Sequence, residues 1–190
     1  MFPLMEAVDL CIGNAGAARA CLGVRWDDLN APVADIGATC VTEERETANA
    51  RLAEHLARSF GFEAVALTLR ESFSADRHGW SAILLGGIDG TIPLSSPKRS
   101  QRYEIEIVDR IGGGDSFAAG LIYGLLAKDR AADALKVAVA ASCLKHTLPG
   151  DSNLSTVVEV EQLLAPAGPG PTERWGPSLG TFPPPAQPPE

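Results

Sequence analysis

Apolar positions along the chain fall into short continuous runs and longer segments with helical spacing. Short apolar runs bounded by turn residues are typical of buried strands, and recurrence every three to four residues is typical of an amphipathic helix. The short runs predict strands at residues 8–12, 64–69, 80–85 and 103–108. The helical segments are residues 15–22 before Gly23, a longer one from Thr42 to Gly61, one that follows Gly114, and residues 131–145 and 156–164.

Strands that alternate with helices in this order predict an α/β fold. Such a chain forms a parallel or mixed sheet with helices on both faces. Asp89-Gly90 predicts a tight hairpin turn, with residues 91–94 forming the returning strand. Gly120 and Gly124 lie one turn apart in a predicted helix, where each costs about 1 kcal/mol relative to Ala. Their presence predicts close packing against a neighbouring helix.

The composition divides the chain at residue 165. Of the 14 prolines, nine lie in residues 165–190, interspersed with glycines and few aliphatic residues. Such a segment cannot bury enough apolar surface to offset the entropy of ordering it. The sequence therefore predicts one folded domain over residues 1–164 and a disordered Pro/Gly-rich tail over residues 165–190.

Charge and cysteine content narrow the class of protein. The net charge of −8 argues against a nucleic-acid partner, because no basic patch offsets it. No apolar run is long enough to predict a membrane span. The four cysteines form no Cys-x-x-Cys pair, which favours free thiols over disulfides or zinc ligands. These features predict a cytoplasmic protein.

The segment Gly112-Gly113-Gly114-Asp115-Ser116-Phe117 lies between a predicted strand and a predicted helix. Glycines let the backbone approach a ligand closely, and amides at a helix N-terminus attract anions such as phosphate. Asp115 has two interpretations. It is either a helix-capping residue, or a general base that accepts the proton of an attacking hydroxyl beside the anion site. A carboxylate next to a phosphate site repels the anion, so we favour the base.

The wider sequence resembles the C-terminal signature of the ribokinase-like, or PfkB, family of carbohydrate kinases. The segments that carry the resemblance are residues 107–124, with the run Asp109-Arg110-Ile111 before the glycines, residues 141–147 and residues 149–151. Within that family the chain is most similar to the 2-keto-3-deoxygluconate kinases. The resemblance covers roughly residues 8–160.

The resemblance implies a ribokinase-like layered α/β fold and ATP-dependent phosphorylation of a sugar-acid hydroxyl such as that of 2-keto-3-deoxygluconate. Asp115 is then the catalytic base, Gly112, Gly113 and Gly114 form the anion hole, and Mg²⁺ accompanies ATP. Asp109 either shapes the turn or helps to hold a monovalent cation, as in related kinases.

Two further residues are candidates for nucleotide binding. In the family an Asn followed three residues later by an acid lies near the phosphates and magnesium. Here Asn14 is followed by Ala17, so the acid is absent. Arg70 lies near the end of a predicted strand, where ligands of open sheets bind, and is either a phosphate contact or a solvated side chain. Lys145 and His146 are explained by the favourable position of positive charge at a helix C-terminus.

The resemblance also implies that the N-terminal half of the family fold, with most sugar contacts, is absent. The chain is then a gene fragment, a sequence whose start is mispredicted, or a half that needs a partner or forms an oligomer. The alternative function is a truncated, non-catalytic remnant that retains at most weak nucleotide binding.

Overall fold

The computed structural model describes residues 2–25, 43–87, 96–128 and 130–165. Several features predicted from the sequence lie outside these ranges. They are the helix start at Thr42, the hairpin turn at Asp89-Gly90 with its returning strand, and residues 166–190 of the tail.

Six helices and five strands form the described parts of the chain. The helices are α1 (Phe2–Met5), α2 (Ala15–Leu22), α3 (Glu43–Phe60), α4 (Gly113–Ala127), α5 (Ala131–His146) and α6 (Val157–Leu164). The strands are β1 (Leu10–Gly13), β2 (Ala64–Ser72), β3 (Arg77–Gly86), β4 (Lys98–Arg99) and β5 (Tyr103–Glu106). The four predicted strands and five predicted helices that fall within the described ranges are confirmed, whereas α1 and β4 were not predicted.

The strands form one mixed sheet. β1 runs parallel to β2, and β2 runs antiparallel to β3 along its whole length. The other edge of β3 pairs with β5 near its beginning and with β4 near its end. Pairing with β2 as far as His78, and with β5 at Arg77, explains why β3 begins three residues before its apolar run.

Alternate side chains of the sheet pack against helices on opposite faces. Val65, Leu67 and Leu69 of β2 belong to the core formed with α2 and α3. Ala64 and Ala66 belong to the core formed with α4 and α5. The period of two along a strand places these two sets on opposite faces. The predicted α/β sheet with helices on both faces is therefore confirmed.

The helices begin and end at residues suited to those positions. Asn14 is the N-cap of α2, where its Oδ1 accepts a hydrogen bond from the Ala17 amide at 2.9 Å. Gly23 ends the same helix in the left-handed conformation, with φ of 69°. Thr156 and Glu159 form a capping box at the start of α6. None of the helices within the described ranges combines the length and apolar character needed to cross a bilayer.

Helices α4 and α5 pack closely, as Gly120 and Gly124 predicted. A Cβ atom at Gly120 would lie 2.9 Å from the Cα of Ala138. A Cβ atom at Gly124 would lie 2.5 Å from the Cα of Ala134. Only glycine permits this approach. One end of the α4–α5 pair supports the glycine-rich loop.

Candidate functional site

The glycine-rich loop connects β5 to α4. Gly112 is the N-cap of α4 and adopts a left-handed conformation with φ of 78°. Its carbonyl accepts a hydrogen bond from the Ser116 amide at 2.9 Å. Asp115 lies in the first turn of the helix, is exposed, and is not the capping residue. The interpretation of Asp115 as an N-cap is therefore wrong.

The three glycines have different surroundings. A Cβ atom at Gly112 would lie 1.9 Å from the Asp151 carbonyl oxygen, and one at Gly113 would lie 2.4 Å from Cε1 of His146. At Gly114, by contrast, no heavy atom of the described residues lies within 4 Å of that position, apart from its chain neighbours and the backbone of its own helix. The first two glycines are required by contacts within the protein. Gly114 leaves open space in front of the first turn of α4.

The C-terminal end of α5 supports this loop from beneath. The Ser142 hydroxyl donates a hydrogen bond to the Gly113 carbonyl at 2.8 Å. The His146 carbonyl accepts hydrogen bonds from the amides of Val108 and Asp109, at 2.8 and 3.2 Å. The loop is thus held by α5, although about thirty residues separate the two segments.

His146 itself is buried against the loop. Its Nδ1 donates a hydrogen bond to the Ser142 carbonyl at 2.6 Å, and its ring lies 4.7 Å from the Trp80 ring. Burial lowers the pKa of His146, and the nearby positive charges of Lys145 and Arg70 lower it further. The imidazole is therefore held in its neutral form beside Gly113.

Asp109 fixes the beginning of the loop. Its Oδ1 accepts a hydrogen bond from the Ile111 amide at 2.9 Å, and its Oδ2 accepts one from the Gly150 amide at 3.0 Å. The bond from Ile111 is the main cause that lowers the pKa of Asp109, and the charge of Lys145 contributes. Asp109 therefore joins the glycine-rich loop to the loop that follows α5, which supports its turn-shaping role.

A group of basic and imidazole side chains lies on the α5 side of the sheet. Nη2 of Arg110 lies 3.4 Å from Nε2 of His78, which is buried. Burial lowers the pKa of His78, and the charges of Arg110 and Arg70 lower it further. Arg70 is exposed and lies within β2, because the strand continues to Ser72. The structure therefore places Arg70 in the neighbourhood of His78 and His146.

Sequence reasoning missed several members of the site. His78, Arg110 and Ser142 were not predicted, and Lys145 was explained by the helix dipole alone. Lys145 is in fact fully buried, with 0% of its surface exposed. One signal was present in the sequence: residues 131–145 are apolar on nearly every side, and such a helix is typically buried all round. Polar residues near its end then face the interior.

Other candidate sites have little support. Within the described ranges, no cluster of three or more His, Cys, Asp or Glu residues is placed to hold a metal ion. Cys11, Cys21 and Cys143 are free thiols, as predicted, and Cys40 lies outside the described residues. Burial raises the pKa of the Cys143 thiol, which keeps it protonated.

The start of α4 is arranged so that an anion could bind beside a carboxylate. The first amides of a helix have no acceptor within the helix, and its dipole adds positive partial charge. At α4 these amides belong to a turn that Gly114 leaves open. The exposed carboxylate of Asp115 lies in the same turn. An anionic group bound there would lie next to a carboxylate able to accept a proton.

The chain is similar in sequence and fold to carbohydrate kinases. The model of the pfkB family carbohydrate kinases matches residues 87–157. The chain is 34% identical over 113 residues to the 2-dehydro-3-deoxygalactonokinase of Haloferax volcanii, which covers 60% of this chain and 31% of that protein.

Two solved structures show the same fold. The 2-dehydro-3-deoxygluconokinase of Thermotoga maritima superposes with a TM-score of 0.69 and 39% identity, over 86% of this chain and 43% of that one. A candidate ribokinase II from Escherichia coli, solved in complex with ATP and Mg²⁺, shares the fold at a TM-score of 0.52 and 18% identity, over 86% of this chain and 41% of that one.

The chain thus spans less than half the length of each of these relatives. The segment that the family model matches contains the whole glycine-rich loop, Asp115, and the end of α5 that supports them. Residues 87–157 of this chain therefore match the model of the pfkB family of carbohydrate kinases, the family that the glycine-rich motif predicted.

Proposed function

We propose that this chain contributes the phosphate-handling part of an ATP-dependent kinase that phosphorylates a hydroxyl of a sugar acid such as 2-keto-3-deoxygluconate. One observation carries the proposal. The exposed carboxylate of Asp115 lies in the first turn of α4, one residue after Gly114, in front of which the space is open. The names of two relatives, a deoxygalactonokinase and a deoxygluconokinase, support a deoxy sugar acid as substrate.

The proposed reaction transfers the γ-phosphoryl group of ATP to the substrate hydroxyl. Asp115 accepts the hydroxyl proton as that oxygen bonds to the γ-phosphorus, and the bond to the bridging β,γ-oxygen breaks to release ADP. The amides at the α4 N-terminus stabilise negative charge on the phosphoryl group in transfer. Gly112 and Gly113 keep the shape of the loop, and Gly114 admits the phosphoryl group.

ATP and Mg²⁺ are the proposed co-substrate and ion. The solved ribokinase-like neighbour that contains ATP and Mg²⁺ supports this choice. Magnesium binds chiefly through phosphate oxygens, water and one or two carboxylates. Because the described residues offer no three-residue cluster, most of its ligands would come from the nucleotide and water. Arg70 and Asn14 are the proposed nucleotide contacts, and Arg70 is supported by its place beside the basic group.

Substitution of Asp115 tests the proposal. Asp115→Asn keeps the shape of the side chain but removes its ability to accept a proton. We expect turnover to fall about a hundred- to ten-thousand-fold, the usual contribution of a general base. The measurement is ADP release in a coupled assay with ATP, Mg²⁺ and a panel of sugar acids. If the chain alone does not turn over, the same substitution is made in a longer form that does.

A matched control exists in α5. Asp133 occupies the same place in the first turn of α5 and is ion-paired with Lys136 on the surface. Asp133→Asn should leave turnover within about two-fold of the parent protein, because exposed ion pairs contribute little. Equal activity of the Asp115→Asn and parent proteins would contradict the assigned role.

One observation favours a second candidate function, nucleotide binding without catalysis. Ala17 occupies the position at which the family pattern has an acid near the magnesium ion. Calorimetric titration with ATP and Mg²⁺, followed by the coupled assay, separates the two candidates. Binding without turnover on any sugar acid supports the second, and turnover on one of them excludes it. That the protein is cytoplasmic and that it self-associates are still predictions from the sequence.

A further inference from the structure

The side chain of Lys145 lies buried between two loops of the site. Its surface is 0% exposed, and Nζ donates a hydrogen bond to the Leu148 carbonyl at 3.4 Å. Its Cε lies 3.2 Å from the position that a Cβ atom would take at Gly112. One ammonium group therefore lies next to both the glycine-rich loop and the loop that follows α5.

Asp109 joins the same two loops from the other side. Its two carboxylate oxygens accept hydrogen bonds from the amides of Ile111 and Gly150, one in each loop. The charge of Lys145 reaches this carboxylate and helps to lower its pKa. The positive and the negative group thus act together on the loops.

These residues do not fit the monovalent cation that the family resemblance implies at Asp109. Such an ion needs several oxygen ligands from carboxylates and carbonyls. Here one carbonyl oxygen between the two loops, that of Leu148, already accepts a hydrogen bond from Nζ of Lys145. A second cation would also lie beside a buried ammonium, and like charges in a poorly solvated site repel strongly.

We propose that the ammonium of Lys145 takes the place of that cation, as a built-in positive charge that links the two loops beneath the glycine-rich turn. Lys145 is then a positioning residue, which acts through the shape of the loop and does not touch the substrate. A protein with such a charge needs no potassium or sodium to order its loop. The link between the loops does not depend on the proposed kinase activity.

The test compares melting temperatures of the ligand-free chain in potassium chloride and in choline chloride at equal ionic strength. Choline is too large to enter the space beside Asp109, whereas potassium is not. A difference in melting temperature between the two salts therefore indicates potassium bound at that position. The variants are Lys145→Met, which removes the charged end and keeps an unbranched side chain one atom shorter, and Lys136→Met as the matched control. Lys136 lies on the same helix, where its side chain is 52% exposed.

We expect the parent protein and Lys136→Met to melt at the same temperature in both salts. Lys145→Met should melt about 4 °C lower in choline chloride and regain part of that loss in potassium chloride, because the ion can enter the vacated position. Lys145→Gln is the second variant if Lys145→Met does not fold. It keeps a donor for Leu148 without the charge, and the same outcomes apply.

Three results would overturn the proposal. One is a higher melting temperature of the parent protein in potassium chloride than in choline chloride. Another is a Lys145 variant that behaves like Lys136→Met in both salts. The third is a Lys145 variant that is destabilised equally in both salts. Because no ligand is present, these results are independent of whether the chain binds ATP or transfers phosphate.

Discussion

At the scale of single residues, the glycine-rich loop combines two separate requirements. Gly112 and Gly113 are needed because the Asp151 carbonyl and the His146 ring occupy the space that a side chain would take. Gly114 faces no such neighbour, so its lack of a side chain matters only to what approaches from outside. Stability and ligand access thus depend on different members of one motif, and substitution can separate them.

The pair Gly113→Ala and Gly114→Ala provides that separation. A Cβ atom at Gly113 would lie 2.4 Å from a ring held by its hydrogen bond to Ser142. We expect Gly113→Ala to lower the free energy of unfolding by about 1–3 kcal/mol, the usual cost of overpacking. Gly114→Ala should change it by less than about 1 kcal/mol, and should weaken nucleotide binding instead.

Urea denaturation measures the first effect and calorimetric titration with ATP measures the second. Equal stability of the two variants would show that the His146 ring can move aside. Unchanged nucleotide affinity of Gly114→Ala would contradict the place of the phosphate in front of Gly114.

The local sequence was sufficient to predict some residues of the site and not others. The three glycines and Asp115 form a contiguous motif, so their positions follow from the chain itself. Lys145 and His146 acquire their surroundings from residues 108–113, which lie about thirty positions away in the sequence. The apolar pattern of residues 131–145 indicates that the helix is buried, but it does not specify that its end packs beneath the glycine-rich loop.

At the scale of elements, the packing of α4 against α5 determines where the loop lies. The prediction that Gly120 and Gly124 pack against a neighbour is confirmed, because the energetic cost of glycine in a helix needs a compensating interaction. Strand β4 was missed since Lys98–Arg99 has no apolar pattern. The extension of β3 to Arg77 was missed because pairing with β2 and β5 decides it.

Gly124→Ala tests the packing of these two helices. A Cβ atom would lie 2.5 Å from the Cα of Ala134, which cannot move without its helix. We expect a loss of about 1–3 kcal/mol in the free energy of unfolding, larger than the gain in helix propensity. Urea denaturation is the measurement, with Gly114→Ala in the same helix as the control.

A second substitution sharpens this test. Ala134→Gly removes the Ala134 Cβ, which would lie 2.8 Å from the new atom, but the backbone of residue 134 still stands in its way. The double variant should therefore regain only part of the lost stability. A single variant as stable as the parent protein would mean that α4 and α5 can separate at no cost.

At the scale of the whole molecule, basic side chains gather at the site of an acidic chain. The chain carries a net charge of −8, yet Arg70, Arg110 and Lys145 lie near two buried imidazoles. The carboxylates of Asp76 and Asp109 lie among the same groups and balance part of their charge. The same positive charges make protonation of the neighbouring histidines unfavourable.

The pH dependence of stability should therefore reflect the titration of the two buried histidines, His78 and His146. Burial is the main cause that lowers the pKa of both His78 and His146. In the unfolded chain each titrates near its usual value of about 6.5. Below that pH the unfolded state binds more protons than the folded state, so stability is present above about pH 6.5 and is lost as the pH falls.

Urea denaturation between about pH 8 and pH 5.5 measures this loss, which for each histidine reaches at most about 1.4 kcal/mol per pH unit. His146→Gln should reduce the slope of stability against pH even if it changes stability at pH 8, because glutamine does not titrate. His55→Gln, on α3 and outside the site, is the control for loss of a histidine. If His146→Gln left the slope unchanged, this imidazole would be protonated as readily in the folded protein as in the unfolded chain. That result would contradict the assignment of a neutral His146 ring beside Gly113.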